Sequence, residues 1–158
     1  MKKGTASSHY PVMPLEDICA LPVKDLAADN CILFLWVTFP KLLESFDVIK
    51  AWGFEYRTVA FVWIKQTSKN KWFTGMGWWT RSNAELCLLA TKGNSQRFSK
   101  NVHQLIVSPV EQHSKKPDET RDRIVKLAGD LPRIELFARQ KTDGWDIWGN
   151  ELANDIEL

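Results

Sequence analysis

Apolar residues along the chain form short continuous runs, separated by a segment with a helical period. The runs occupy Cys31–Val37, Tyr56–Ile64 and Glu85–Ala90. Such runs are typical of strands covered on both faces, as in a parallel sheet with helices on either side. Between the first two runs, Phe39–Trp52 repeats its apolar residues at steps of three and four, which predicts an amphipathic helix. The pattern therefore predicts a strand–helix–strand crossover.

The remaining segments continue this alternation with shorter elements. Strands are predicted at Gln104–Val107, Ile134–Phe137 and Trp145–Trp148, and helices at Pro14–Ala20 and from Pro117 to Leu127 or Ala128. Proline followed by acids favours the first turn of a helix, and the glycines Gly53 and Gly129 favour helix ends. Together the elements predict an α/β, Rossmann-like three-layer sandwich with a mostly parallel sheet.

The segment Gln66–Ser82 has no strand or helix period and is long for a loop inside a compact domain. In and beside it, cations alternate with flat aromatic rings: Lys65, Lys69, Lys71 and Arg81 with Trp72, Phe73, Trp78 and Trp79. Cations hold phosphates and rings stack on unpaired bases, so one interpretation is a nucleic-acid-binding loop. The alternative is that the tryptophans fold back to cap the sheet and the lysines are only solvated.

Two further segments place charges at a helix start and at a strand end. In His113–Glu119 a basic cluster runs into a helix start, where free backbone N–H groups and cations can bind a carboxylate or phosphate. Ile134–Arg139 ends an apolar strand with an acid and a base, at the place where open α/β sheets bind ligands. Solvated lysines and a surface ion pair would explain the same residues without a ligand.

Length and composition restrict the class of protein. The 158 residues, 44% hydrophobic and 25% charged, predict one globular domain over residues 1–158. The 21 basic and 19 acidic residues nearly cancel, so any basic surface must be local. The longest apolar run is far too short to cross a membrane, and no apolar signal core follows the first lysines. Three scattered cysteines favour a reduced, cytoplasmic protein.

Several common chemistries lack their motifs. The chain has no GxGxxG, GxxxxGK[ST] or GxSxG sequence, and its cysteines and histidines have no metal-ligand spacing. We therefore expect no metal site and no nucleophilic catalysis.

Eight motifs occur in an order that resembles a known family. They are HYPVM, ILFLWV, AWGF, FVWIK, GMGWWTRSNAE, HSKKPDE, IELFAR and WDIWGNE, over about residues 9–152. The chain resembles the adenine-N6 methyltransferases related to the messenger-RNA adenosine methylase, specifically the bacterial and phage branch that acts on DNA. The resemblance implies a Rossmann-like sheet, S-adenosylmethionine as cofactor, and methyl transfer to the exocyclic amine of adenine in double-stranded DNA. A homodimer or a paired subunit is also implied.

The resemblance also implies roles for individual residues. Cofactor contacts would come from Lys116, Glu135, Arg139, Asn150 and Glu151, with Lys116 on the carboxylate of the cofactor and Arg139, Asn150 and Glu151 on its ribose and neighbouring atoms. Glu85 and Ser114 would line the target-adenine pocket as catalytic residues. Nucleic-acid contacts would come from Lys65, Lys69, Lys71, Trp72, Trp78, Trp79 and Arg81.

One family motif does not occur in this sequence. Members of the family have the tetrapeptide Asp-Pro-Pro-Trp at a strand end before the HYP segment. That tetrapeptide does not occur in the 158 residues of this sequence. We therefore expect a sheet without the catalytic strand, as in a fragment of an active methylase, a partner subunit without catalysis, or a domain completed by another polypeptide. The alternatives to an enzyme are a catalytically silent nucleic-acid-binding module and an unrelated α/β domain in which Trp78 and Trp79 are buried.

Overall fold

Four strands form the main sheet, which has the order β1-β3-β2-β4. They are β1 (Cys31–Val37), β2 (Glu55–Gln66), β3 (Glu85–Lys92) and β4 (Leu105–Pro109). The structure, a computed structural model, describes residues 13–112, 115–149 and 154–158. β3 is antiparallel to both β1 and β2, whereas β4 is parallel to β2. The sheet is therefore mixed.

The structure does not show the predicted mostly parallel sheet, because β3 makes two of the three strand pairings of the main sheet antiparallel. β1 and β2 run in the same direction, as the predicted crossover requires, but β3 lies between them and is antiparallel to each. A loop rather than a crossover helix joins β2 to β3, so the chain turns back on itself. A central strand covered on both faces is apolar throughout whichever way it runs. The apolar pattern therefore identified the strand but not its direction.

Short helices cover one face of the sheet. They are α1 (Leu15–Ala20), α2 (Val23–Leu26), a 3₁₀ turn (Phe39–Lys41) and α3 (Leu42–Ala51). Val48, Ile49 and Trp52 pack there against Leu88 and Ala90 of β3. The Trp52 indole N–H also donates to the carbonyl of Ile18 at 2.9 Å, which ties α1 to the end of α3.

The opposite face carries a second core beneath α4 (Glu119–Ala128). Phe61, Trp63, Cys87 and Ile106 are buried together, and Ile124 of α4 packs against them. Since adjacent residues of β3 belong to different cores, helices cover both faces of the sheet. In the described ranges, no helix has the length and apolar character needed to cross a membrane.

Two short parallel strands form a separate sheet, β5 (Ile134–Leu136) and β6 (Asp146–Trp148). Leu136 of β5 packs against the core on the α3 side. β5 ends just before Phe137, whose φ of 58° is uncommon for a residue with a side chain and stops the extended backbone. Both strands lie where the sequence predicts them.

Candidate active site

A buried carboxylate lies at the start of β3. Glu85 is 6% exposed and faces Trp63 of β2 in the sheet register. The Lys65 Nζ atom lies 2.9 Å from its Oε1, and the Lys116 ammonium donates a hydrogen bond to its Oε2. Each carboxylate oxygen therefore has its own cation, as a buried charge requires.

Two tryptophan rings pack beside these lysines. Lys65 Nζ lies 5.0 Å from the ring centre of Trp63, and Lys116 Nζ lies 5.5 Å from that of Trp36. The two rings meet edge to face with their centres 6.2 Å apart. Trp63 is held in place by its indole N–H, which donates to the carbonyl of Ser108 at 2.9 Å. We call Glu85, Lys65, Lys116, Trp36 and Trp63 the Glu85 cluster.

The cluster keeps Glu85 ionised. Burial raises the pKa of its carboxyl group, but attraction to Lys116 and hydrogen bonds from Lys116 and Lys65 outweigh burial and hold the pKa below its usual value. At neutral pH the group is thus a carboxylate, which can only accept hydrogen bonds. Cys87, two residues further along β3, is buried on the same face, and burial raises the pKa of its thiol.

A second polar group lies at the first turn of α4. Arg121 donates to both carboxylate oxygens of Glu135 at 2.6 and 2.9 Å and also contacts Asp118. Two buried polar atoms of this turn, Thr120 Oγ1 and Arg121 Nε, have no hydrogen-bond partner among the residues that the structure describes. Lys116 directly precedes this turn, so the first turn of α4 lies between the Glu85 cluster and β5. Its unpartnered polar atoms could bind a polar ligand.

The loop that joins β2 to β3, residues 67–84, is anchored beside the Glu85 cluster. We call it the tryptophan loop. The Asn83 side chain donates to the carbonyls of Lys65 at 3.0 Å and Phe73 at 2.6 Å, and its oxygen accepts the Lys65 N–H at 2.9 Å. One amide side chain thus fixes both arms of the loop to the end of β2.

A tight turn closes the far end of the same loop. The Gly75 N–H donates to the carbonyl of Ser82 at 2.7 Å. Gly77 has a φ of +64°, and a Cβ atom there would lie 1.7 Å from the Thr80 carbonyl oxygen. Only glycine fits at that position. The loop therefore has a defined shape at its tip as well as at its base.

The loop exposes its aromatic residues to solvent. Trp78 is 87% exposed, Trp79 98% and Trp72 65%. The interpretation in which the tryptophans cap the sheet is therefore wrong, and so is the alternative of an unrelated domain with Trp78 and Trp79 buried. Lys69, Lys71 and Arg81 are exposed on the same loop. Rings and cations presented together in this way can stack on bases and contact phosphates.

The structure brings together some of the predicted site residues. Glu85, Lys116 and Lys65 form one cluster, although the family resemblance implies three different roles for them. Glu135 contacts Arg121 instead, and Arg139 is half-buried and also has an interaction partner. Ser114, Asn150 and Glu151 lie outside the described residues.

Sequence reasoning missed four residues that build this site: Trp36, Trp63, Asn83 and Arg121. The two tryptophans lie inside apolar strands, so their pattern indicated only core. Asn83 directly follows the segment Gln66–Ser82 that the sequence predicts as a loop, and its amide could have been considered as a loop anchor. Arg121 offered no such signal, because its partner Glu135 is 14 residues away.

Comparison with known proteins supports a common origin for most of this chain. A family model described as MT-A70 matches residues 1–151. A Mycoplasma protein named Type II methyltransferase M.MunI is 41% identical over 158 residues, covering 98% of this chain and 65% of the relative. A Drosophila melanogaster protein named N(6)-adenosine-methyltransferase MT-A70-like protein is 33% identical over 90% of the chain. The human N(6)-adenosine-methyltransferase catalytic subunit METTL3 is 34% identical over 78% of it.

These relatives are longer than the chain. It spans 65% of the Mycoplasma protein, 24% of the Drosophila protein and 22% of the human one.

Proposed function

The chain belongs to the MT-A70 family, and on that premise we propose that it methylates the N6 amine of adenine in nucleic acid, using S-adenosylmethionine. The observation that carries the proposal is the buried Glu85 carboxylate between Lys65 and Lys116, directly beside an anchored loop with exposed tryptophans. Relatives named N(6)-adenosine-methyltransferases support the same reaction.

We propose double-stranded DNA as the substrate. The sequence motifs resemble those of the bacterial and phage branch of the family. A relative from Mycoplasma, named a Type II methyltransferase, aligns with 98% of the chain. The exposed rings of Trp78 and Trp79 and the cations Lys69 and Lys71 support contact with bases and phosphates. The human relative METTL3 is named a catalytic subunit, which supports action of this chain together with a second copy or a paired subunit.

The residues around the first turn of α4 suit the proposed cofactor. The Lys116 ammonium would bind its carboxylate, and Glu135 and Arg139 would contact its ribose, together with Asn150 and Glu151 outside the described residues. The unpartnered Thr120 Oγ1 and Arg121 Nε atoms of that turn fit a polar ligand. When bound, S-adenosylmethionine supplies a methyl group activated by its sulfonium charge.

Glu85 would act on the adenine. Its ionised carboxylate is an acceptor, so it can take a hydrogen bond from the exocyclic amine and orient the nitrogen lone pair. Lys65 keeps Glu85 ionised from the β2 side, and Ser114 would line the same pocket. The tryptophan loop would hold the duplex while the target base is out of the stack. In a direct displacement, the chain would therefore contribute by positioning the reactants and by electrostatic stabilisation.

Titration calorimetry and methyl-transfer assays test the cofactor role of Lys116. We expect one-site binding of S-adenosylmethionine and at least tenfold weaker binding for Lys116→Ala, since the variant loses a charge-assisted hydrogen bond. Lys115→Ala is the matched control, because Lys115 contacts Glu111 and Asp118 on the surface. Equal cofactor affinity in both variants would remove the role of Lys116.

The second candidate function is a catalytically silent nucleic-acid-binding module. The exposed tip of the tryptophan loop favours it independently of the Glu85 cluster. It predicts salt-dependent DNA or RNA binding without transfer of a labelled methyl group to adenine-containing DNA. Transfer of label by the wild-type chain, lost in Glu85→Gln, excludes this candidate.

A further inference from the structure

A basic concavity lies at the opposite end of the sheet from Glu85. Its volume is about 430 Å³. Its lining includes Arg57, Thr58 and Phe61 of β2, Arg97 of the loop between β3 and β4 (residues 93–104), and Leu127 of α4. A second concavity of about 260 Å³ lies beside it and shares Val102. It is lined by Arg123 and Lys126 of α4 together with Asn101, Val102 and His103. We call the two together the basic groove.

Among the described residues, two of the four arginine and lysine residues that line the groove lack a matching acid, whereas Arg57 pairs with Glu55 and Arg123 pairs with Glu119. None of the residues that line either concavity is an aspartate or glutamate, and residues 86–110 contain no acid at all. Arg97 and Lys126 form no ion pair within the described part of the chain. Charge of one sign in a concave surface attracts a polyanion.

Hydrogen bonds fix the loop between β3 and β4 (residues 93–104), which borders the groove. The Asn94 N–H donates to Asn30 Oδ1 at 2.8 Å, and the Ser95 hydroxyl donates to the carbonyl of Cys31 at 3.1 Å. Further along, the Phe98 N–H donates to the carbonyl of Leu127 at 2.6 Å, which joins the loop to the end of α4. The Phe98 ring remains 80% exposed. The groove is thus a formed surface with an aromatic residue at its side.

The groove and the Glu85 cluster lie along the same face of the sheet. Phe61 lines the groove and belongs to the same core as Trp63, and α4 packs over that core. Leu89 lines the groove and is four residues from Glu85 on β3, so the two sites are separated by roughly 13 Å at about 3.3 Å per residue. That span corresponds to about four base pairs of B-form duplex at about 3.4 Å each.

We propose that the basic groove binds the phosphodiester backbone of duplex DNA about four base pairs from the target adenine. The identity of the polyanion as DNA rests on the proposed function. The apolar floor of the groove contacts the sugar edge, and Arg97 and Lys126 neutralise two phosphates. The groove therefore adds affinity and sets the register without contacting the reacting base.

The salt dependence of DNA binding tests the groove. For the full chain on a 20-base-pair duplex with a central adenine site, Arg97→Ala combined with Lys126→Ala should reduce the slope of log Kd against log salt by about 2. On a 6-base-pair duplex with a central adenine the same variant should leave the slope unchanged, because only about three base pairs extend from the adenine toward the groove. The matched control is Lys24→Ala with Lys50→Ala, which removes two exposed lysines from the α2 and α3 side.

Three outcomes decide the proposal. A slope that falls only on the long duplex supports it, whereas an unchanged slope on the long duplex overturns it. Inorganic phosphate that binds the wild-type groove while the duplex slope is unchanged also overturns it and assigns the groove to a small anion. Methyl transfer to a short adenine substrate should be equal in variant and wild type. Loss of that transfer in the wild type itself contradicts the proposed function instead.

Discussion

The Glu85 cluster and the tip of the tryptophan loop both contain tryptophans and cations, but these are packed inside the fold in the cluster and exposed to solvent at the tip. In the cluster, Lys65 and Lys116 lie between indole rings and a buried carboxylate, so the two cations share one counter-charge within the fold. At the tip, Trp78 and Trp79 are almost fully exposed, and the nearby cations face solvent. The buried residues of the cluster therefore contribute to the stability of the protein, and the exposed residues of the loop tip are available to bind a partner.

This difference separates stability from binding along one stretch of chain. Lys65 and Trp79 are only 14 positions apart in the sequence, yet changes at one should affect unfolding and changes at the other should affect nucleic-acid affinity.

The largest effect is expected from Glu85→Gln. The variant leaves Lys65 and Lys116 without their counter-charge, and breaking such a buried pair costs about 3 kcal/mol, the low end of its range because both lysines are partly exposed. We also expect methyl transfer to fall at least about 100-fold, the scale on which lost electrostatic positioning acts. Urea unfolding and a labelled-methyl assay measure the two effects.

Glu111→Gln is the control for that prediction, since Glu111 forms an exposed ion pair with Lys115. It should change the free energy of unfolding by less than about 1 kcal/mol. If Glu85→Gln were as stable as this control, the pairing seen in the cluster would contribute nothing to folding.

The next largest effect is expected at the loop tip. Trp78→Ala combined with Trp79→Ala should weaken DNA binding by about 1–3 kcal/mol for each ring that stacks, measured by fluorescence anisotropy of labelled DNA. The free energy of unfolding should stay the same because both rings are exposed. Leu43→Ala, 82% exposed on α3, is the control for loss of an exposed apolar side chain. Reduced stability with unchanged affinity would assign the tryptophans to the fold instead.

A smaller, pH-dependent effect follows from the low pKa of Glu85. Because that pKa is lower in the folded state than its ordinary value of 4.5, the pairing stabilises the protein above about pH 4.5. The stabilisation is lost as the pH falls through the folded pKa. The difference in unfolding free energy between wild type and Glu85→Gln should therefore shrink between neutral pH and pH 3, and a constant difference would contradict the linkage.

The smallest effect is expected from the loop lysines. Lys69→Ala combined with Lys71→Ala should lower the slope of log Kd against log salt by about 2, with no change in unfolding. The loss of affinity is largest at low salt and disappears as the salt concentration rises toward about 1 M, so the titration over salt resolves it. A variant that lost binding equally at all salt concentrations would place these lysines in something other than phosphate contact.

The sequence predicted the elements better than their arrangement. Periodicity located β1, β2, β3 and α3 to within a few residues, since it depends on neighbours along the chain. α2 was missed because four residues, Val23–Leu26, are too short to show a period. The direction of β3 was missed because it depends on how residues 67–84 turn, and that is a matter of tertiary hydrogen bonds such as those of Asn83.

For the candidate site too, individual residues could be predicted from the sequence, but their contacts could not. Glu85 and Lys116 could be picked out, since the motifs that contain them resemble a known family. Their direct contact could not, because 31 positions separate them and only the packing of the segment before α4 on β3 brings them together. The exposure of Trp78 and Trp79 could not be predicted either. A loop that folds back onto the sheet and a loop that projects into solvent can have the same composition.

Asn83 has a consequence for the thermodynamics of recognition. Its three hydrogen bonds fix both arms of the tryptophan loop to β2 before any ligand arrives. The conformational entropy of the loop is therefore lost during folding and not during association, so a partner meets a preorganised surface. Slow deuterium exchange at the Lys65 amide in the free protein would be the signature of that rigidity.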